Sequence, residues 1–231
     1  MLRMLYGYLP AVLEGLVTTL KVSALSLAIA CVFGLVGAAA RLSESRIARL
    51  LAGVYTTLIR GLPELVLMLM IFYGGQMGVN ALSDRLGGGY VDIDPFVAGT
   101  ATLGFIFGAY LTETFRGAIL AIPKGQIEAG HAFGLTRLQV ARRIVAPQMV
   151  RHAIPGFANN WLVMVKATAL VSVIGLDDMM HRAGLASAST RQPFTFYAAI
   201  ACIYLAVTTV SLLALHVLEK RFSLGVRRVD F

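Results

Sequence analysis

The sequence predicts an all-α, multi-pass membrane protein with about five transmembrane helices in a single domain over residues 1–231. The chain is 58% hydrophobic and only 14% charged, whereas soluble domains carry about 25% charged residues. Five apolar segments are each long enough to cross the bilayer core, which takes about 20 apolar residues as a helix. Little sequence remains between these segments, so no separate soluble domain is expected.

The predicted spans cover residues 10–40, 50–79, 95–121, 152–176 and 194–219. The loops after the first, third and fifth spans hold twelve basic residues, and the other two loops hold three. Basic loops stay in the cytoplasm, so the N-terminus is predicted outside and the C-terminus in the cytoplasm. The twelve are Arg41, Arg46, Arg49, Lys124, Arg137, Arg142, Arg143, Arg151, Lys220, Arg221, Arg227 and Arg228, against Arg85, Arg182 and Arg191.

Small residues recur four positions apart in the first three spans. Such pairs let helix backbones approach closely in lipid, where water does not drive helices together. The sequence therefore predicts close helix contacts at these pairs, which are Gly34 with Ala38, Gly74 with Gly78, and Gly104 with Gly108.

The predicted cytoplasmic loop, residues 122–151, contains signals for a short helix. Pro123 ends the third span, because its ring and missing N–H stop a helix. A helix over residues 126–133 is then expected, with Gly134 as its left-handed C-cap. Thr136 and Gln139 form a capping box that starts the next helix, which Pro147 interrupts or reorients as it enters the membrane.

Polar and ionisable groups within the spans are expensive and usually face a cavity or a partner. They predict a translocation path, although a structural contact between helices is equally open for each of them. Glu113 and Arg116 lie three residues apart, which favours an ion pair on one helix face. The candidate path residues are Arg60, Pro63, Glu64, Glu113, Asn159, Asn160 and Lys166.

Metal binding and catalysis are not indicated. Asp177, Asp178 and His181 resemble a partial metal site, but no suitable third ligand is close in sequence, so a solvated outer loop is favoured. Cys31 and Cys202 lie in apolar runs without a metal or disulfide pattern. The chain lacks G-x-x-x-x-G-K-[ST], H-E-x-x-H and G-x-S-x-G motifs. It is therefore expected to bind no cofactor and to hydrolyse no ATP itself.

Residues 128–147 resemble the cytoplasmic signature of ABC-importer permeases, E-A-A-x3-G-x9-I-x-L-P. Glu128, Ala129, Gly134, Ile144 and Pro147 match it, while Gly130 and Ala146 depart from it. The resemblance implies a coupling helix that docks on a separate ATPase, with an ordinary lipid-facing loop as the alternative. The implied coupling residues are Glu128, Ala129, Gly130, His131, Ala132, Phe133 and Gly134.

Nearly the whole chain is similar to polar amino acid importer permeases. Two stretches, 92–95 and 219–226, resemble more specifically the Q-type permeases of histidine/lysine/arginine/ornithine importers. The 57–63 stretch resembles the family's R-G-T-P segment, with Leu62 in place of Thr. Stretches 111–118 and 166–170 resemble further family segments. The resemblance implies a type I ABC importer architecture in a bacterial inner membrane, with the N-terminus periplasmic.

The same resemblance implies several partners. These are a second homologous permease, two cytoplasmic ATPase subunits that bind ATP and Mg, and a periplasmic binding protein that delivers a cationic amino acid. Asn159-Asn160 stands where many relatives carry Asn-Glu, which suggests that the sister permease supplies the carboxylate for a cationic side chain.

Other functions remain open at this point. Arginine-derived opines or other polar amino acids are alternative cargoes. A secondary transporter or channel would predict an internal repeat of two halves, which the sequence does not show. A membrane enzyme would need a catalytic motif, and those sought above are absent.

Overall fold

The computed structural model describes residues 2–222, and within them the regular secondary structure is helical throughout. Arg227 and Arg228, and the end of the 219–226 stretch, lie outside the described residues. The helices are α1 Leu2–Leu42, α2 Arg46–Gly61, α3 Glu64–Arg85, α4 Pro95–Leu120, α5 Lys124–Ala132, α6 Arg137–Val140, α7 Ala146–Ala167, α8 Met179–Thr190 and α9 Pro193–Phe222. A π-helical turn, Ala141–Val145, joins α6 to α7, and a 3-10 segment, Thr168–Ile174, extends α7.

Five helical segments within residues 2–222 are long and apolar enough to cross a membrane. This confirms the predicted fold class and number of spans. The five segments are Gly7–Leu42, Glu64–Arg85, Pro95–Leu120, Arg137–Ile174 and Pro193–Val217.

The predicted boundaries of the second span, 50–79, are wrong. Residues 50–61 belong to the separate helix α2, and the membrane-length helix α3 begins only at Glu64. Pro63 causes the break, because a residue that precedes proline is pushed out of the helical conformation. Leu62 is accordingly extended, with φ −108° and ψ 149°.

The predicted 122–151 loop is only partly a loop. The short helix, its C-cap glycine and the capping box of Thr136 and Gln139 are confirmed. The helix that starts at Arg137, however, continues to Ile174, so the fourth span begins well before residue 152. Pro147 does not break it, because the π-helical turn lies directly before the proline and accommodates its missing N–H.

Residues 179–190, read from the sequence as part of a solvated outer loop, form the helix α8. One face of α8 is buried against α1, with Met179 and Ala183 fully covered. Gly15 of α1 makes room for this contact, because a Cβ there would lie 2.7 Å from the Met179 Cα. The many small residues of α8 give too weak a hydrophobic period for sequence reasoning to find the helix.

The core is formed by α1 and α4, which pack side by side in the same direction. Gly34 lies against Leu111, and Gly104 and Gly108 lie against residues of α1, so the predicted close contacts are confirmed for these pairs. Ser26 adds a hydrogen bond from its hydroxyl to the Thr100 carbonyl, at 3.0 Å. The Gly74 and Gly78 prediction is wrong within this chain, because neither Cβ position meets a described atom within 4 Å.

Candidate functional site

The helix α5 presents an exposed surface made of the predicted coupling residues. Glu128, Ala129, His131 and Ala132 are all solvent-exposed. Phe133 follows at the C-terminal end with 88% of its surface uncovered. A phenylalanine this exposed is available to insert into an apolar pocket of another protein.

Gly130 differs from its neighbours, because it is buried within this chain. A Cβ at this position would lie 2.6 Å from the Ile144 Cδ1 and 3.2 Å from a Val140 methyl group. Gly130 therefore does not belong to the exposed surface of α5. Its small size instead lets α5 pack on the start of the long helix.

Two features hold α5 in a fixed orientation relative to that long helix. Gly134 has φ +78°, a left-handed conformation that reverses the chain between α5 and α6. The Gln148 side-chain amide of α7 donates a 2.7 Å hydrogen bond to the Gln126 side chain of α5. These contacts tie α5 to the start of α7.

Glu113 lies in a network of two arginines. Arg116 contacts its carboxylate at 2.7 Å, which confirms the predicted ion pair one turn along α4. Arg41 at the end of α1 adds a second ion pair, with its Nε 3.4 Å from the carboxylate. Sequence reasoning missed Arg41, because nothing local signals a contact between residues so far apart in the chain.

A polar cleft of about 460 Å³ lies beside this network. The guanidinium of Arg60 lies 5.5 Å from the centre of the Tyr110 ring, a cation–π contact that holds Arg60 at the cleft. Pro63 and Glu64 follow immediately at the start of α3. The cleft is lined by Arg41, Thr56, Thr57, Arg60, Gly61, Tyr110 and Glu113.

Asn160 ties α7 to α4. Its side-chain amide donates to the Thr114 hydroxyl at 3.0 Å and to the Gly156 carbonyl at 2.9 Å. Thr114 follows Glu113 directly in α4, although neither Thr114 nor Asn160 lines the polar cleft. Asn159, by contrast, is exposed.

Lys166 lies apart from the other candidate path residues. It lines a second cleft, of about 810 Å³, between α7, α8 and α9, which Tyr197 and Tyr204 also line. Arg60 and Glu113 therefore line one cleft and Lys166 lines another, while Asn160 bonds to Thr114 and lines neither.

The Asp177, Asp178 and His181 group is structural. Asp178 is fully buried and caps α8 by accepting a 2.8 Å hydrogen bond from the His181 N–H. Burial raises the pKa of Asp178 to about 6. Asp177 instead pairs with Arg182 at 2.8 Å, and hydrogen bonds from Arg182 lower the pKa of Asp177.

Arg182 also joins α8 to α1, a contact that the sequence did not indicate. Its guanidinium lies 2.7 Å from the Glu14 carboxylate and donates to the Ala11 carbonyl. Among the described residues, no group of three His, Cys, Asp or Glu side chains is arranged to hold a metal ion.

The chain is similar to known transport proteins over nearly its whole length. The chain is 53% identical over 227 residues to the histidine/lysine/arginine/ornithine transport system permease protein HisQ of Escherichia coli (strain K12), covering 98% of this chain and 100% of the relative. It is 40% identical over 224 residues to the octopine transport system permease protein OccQ of Rhizobium radiobacter, covering 96% of this chain and 94% of that protein.

A solved structure, an amino acid ABC transporter with histidines, shares the fold with a TM-score of 0.80 and 32% identity, over 94% of this chain and 96% of that one. The family model for the binding-protein-dependent transport system inner membrane component matches residues 30–224. The chain therefore belongs to the family of binding-protein-dependent transport system inner membrane components.

Proposed function

We propose that this chain forms part of the translocation path of an ATP-driven importer for basic amino acids, namely histidine, lysine, arginine and ornithine. The supporting observation is the 53% identity to a permease protein named for those four cargoes, over 98% of this chain. As a family member, the chain is a multi-pass inner-membrane permease subunit rather than an enzyme, and it works with an ATPase and a binding protein.

The proposed assembly contains a second homologous permease, two cytoplasmic ATPase subunits that bind ATP and Mg, and a periplasmic amino-acid-binding protein. In it, α5 docks on an ATPase subunit through its exposed residues, with Phe133 as the apolar anchor. The packing of Gly130 on the long helix, and the hydrogen bond between Gln126 and Gln148, support this role.

The route from the ATPase to the cargo runs through contacts within this chain. A displacement of α5 moves the start of the long helix, and α7 carries that movement to the Asn160–Thr114 hydrogen bond. Thr114 follows Glu113 in α4, and in this proposal a change in the α4–α7 contact opens or closes the path. Since α1 packs on both α4 and α8, the chain acts as one domain.

The polar cleft of this subunit suits the carboxylate end of an amino acid better than a cationic side chain. Arg60 is exposed there and offers a guanidinium for bidentate binding of a carboxylate. The negative charge of Glu113 is already compensated by Arg41 and Arg116. A carboxylate of the sister permease then recognises the cationic side chain.

Opines are the second candidate cargo, supported by the 40% identity to an octopine permease. The two candidates are separated by uptake of radiolabelled lysine into proteoliposomes that contain the complete transporter. We expect unlabelled arginine, ornithine and histidine to compete and octopine to compete weakly. Strong competition by octopine alone would overturn the proposed cargo in favour of opines.

A further inference from the structure

Helix α2 has an apolar face that no described part of this chain covers. Its other face packs on α1 and α4 through Ala52, Thr56 and Ile59. Ile47 and Leu50 remain 72% and 67% exposed, and the same face continues along the helix with Leu51, Val54 and Leu58. Sixteen residues of helix extend about 24 Å, which is short of the roughly 30 Å hydrocarbon core. Such a helix lies in the membrane interface with its apolar face towards the lipid.

The contacts of α2 support that depth. Asp94, the N-cap of α4, and Glu113 are nineteen residues apart, which is about 28 Å of helix and close to the thickness of the hydrocarbon core. A helix that enters the core at Asp94 therefore reaches the other edge near Glu113 and its ion pairs. Arg41, which forms one of these pairs, lies directly against Gly53 of α2.

Arginine side chains of α1 and α2 lie at the rim of a cleft of about 320 Å³ over α2. The Arg41 guanidinium lies directly on the surface of α2 at Gly53, where a Cβ would lie 2.7 Å from the Arg41 Nη1. Arg49 is held by a 2.6 Å hydrogen bond from its guanidinium to the Ser43 carbonyl. The cleft is lined by Arg41, Arg49, Leu50, Gly53, Val54, Thr57 and Leu58.

The charge around this cleft is positive. Residues 41–61 contain four arginines, Arg41, Arg46, Arg49 and Arg60, and a single acid, Glu44. Glu44 is exposed in the turn between α1 and α2, and Glu113 is shared between Arg41 and Arg116. The cleft thus combines two guanidinium groups with an apolar floor, at the depth where lipid phosphates meet acyl chains.

From this arrangement we infer that the cleft binds an anionic phospholipid. The phosphate lies between Arg41 and Arg49, where charge-assisted hydrogen bonds from guanidinium groups stabilise it. The acyl chains cover Leu50, Val54 and Leu58. A free phosphate would leave this apolar face exposed, so the lipid is the better complement of the whole surface.

The test uses the complete transporter purified in detergent, with phosphatidylglycerol as the anionic probe and phosphatidylcholine as the neutral one. Native mass spectrometry measures how many lipids each complex retains. Arg49→Gln removes one cleft charge, and Arg46→Gln is its matched control, because Arg46 lies on the same helix outside the cleft. We expect about fivefold weaker phosphatidylglycerol retention for Arg49→Gln and less than a twofold change for Arg46→Gln.

A second variant leaves the charge unchanged. The new methyl group of Gly53→Ala would lie 2.7 Å from the Arg41 Nη1, so the guanidinium must shift away from its place at the cleft, while alanine favours the helix. We therefore expect retention to fall here too. Equal loss in the two arginine variants, or equal retention of both lipids, would overturn the inference. Displacement of the lipid by inorganic phosphate would show a free-anion site instead. A cross-link from Leu50→Cys to the homologous permease would show that a protein covers this face.

Discussion

Asp178 is a buried carboxyl whose environment raises its pKa well above the ordinary value. Its carboxyl has an ordinary pKa of 3.8 and a folded pKa of about 6, so the folded state binds more protons between these values. The free energy of unfolding contributed by Asp178 therefore falls as the pH rises from about 4 to 6. Asp178→Asn keeps an oxygen for the helix cap and removes this dependence.

We expect Asp178→Asn to be more stable than the unmodified protein at pH 7, by about 1–2 kcal/mol, and to match it near pH 4. Thermal unfolding of the purified complex over this range measures the difference. Asp177→Asn is the matched control with the opposite sign, because the pKa of Asp177 is lowered. That variant should lose stability at pH 7, and the loss should shrink below about pH 4. An unchanged difference for Asp178→Asn across the range would contradict this account.

Asn160 is expected to act as a tie between helices and not as a selective contact with the cargo. Asn160→Ala removes its hydrogen bond to Thr114, at a cost of about 0.5–1.5 kcal/mol. Uptake of lysine and of neutral histidine should then fall by the same factor. Asn159→Ala is the matched control, because that side chain is exposed. A loss confined to lysine would show instead that Asn160 recognises the cationic side chain.

At the scale of the element, α5 is the part on which coupling depends. Gly134→Val places a β-branched residue at φ +78°, which costs about 1–3 kcal/mol and misorients α5. Lysine uptake by the reconstituted transporter should fall sharply, while the amount of protein in the membrane stays the same. Gly125→Val is the control, because it changes the same helix at a position with open space and no positive φ. Equal uptake by the two variants would argue against docking through α5.

At the scale of the whole molecule, sequence patterns correctly predicted the structural features that involve residues close together in the chain. The Gly134 cap, the capping box of Thr136 and Gln139, and the Glu113–Arg116 pair each involve residues at most three positions from each other or from the helix end, and all are confirmed. The missed features are distant contacts. Arg182 reaches Glu14 across 168 residues, and Asn160 reaches Thr114 across 46. Such contacts depend on helix packing, which spacing along the chain does not encode.

The break at Leu62 and the helix α8 were missed for related reasons. The predicted second span merged α2 and α3 into one segment. The exposed apolar face of α2 makes this helix resemble part of a membrane span in sequence. The burial of α8 depends on Gly15, far away in α1. The candidate path residues remain predictions that transport measurements must test.

The proposed orientation places the N-terminus in the periplasm and the C-terminus in the cytoplasm, and it rests on the ratio of twelve basic residues to three. A reporter that is active only in the cytoplasm should work when fused after Phe231. The same reporter inserted at residues 87–89 should be silent. The reverse pattern would place α5 on the wrong side of the membrane for an ATPase.

The central claim is that this permease subunit moves basic amino acids only when a separate ATPase drives it. Its most direct test is lysine accumulation in proteoliposomes that contain this chain, its sister permease, the ATPase and the binding protein. We predict accumulation with ATP and Mg on the ATPase side, and none when ATP is replaced by a non-hydrolysable analogue or when this chain is omitted. Accumulation by this chain alone, driven by an ion gradient without ATP, would contradict the account.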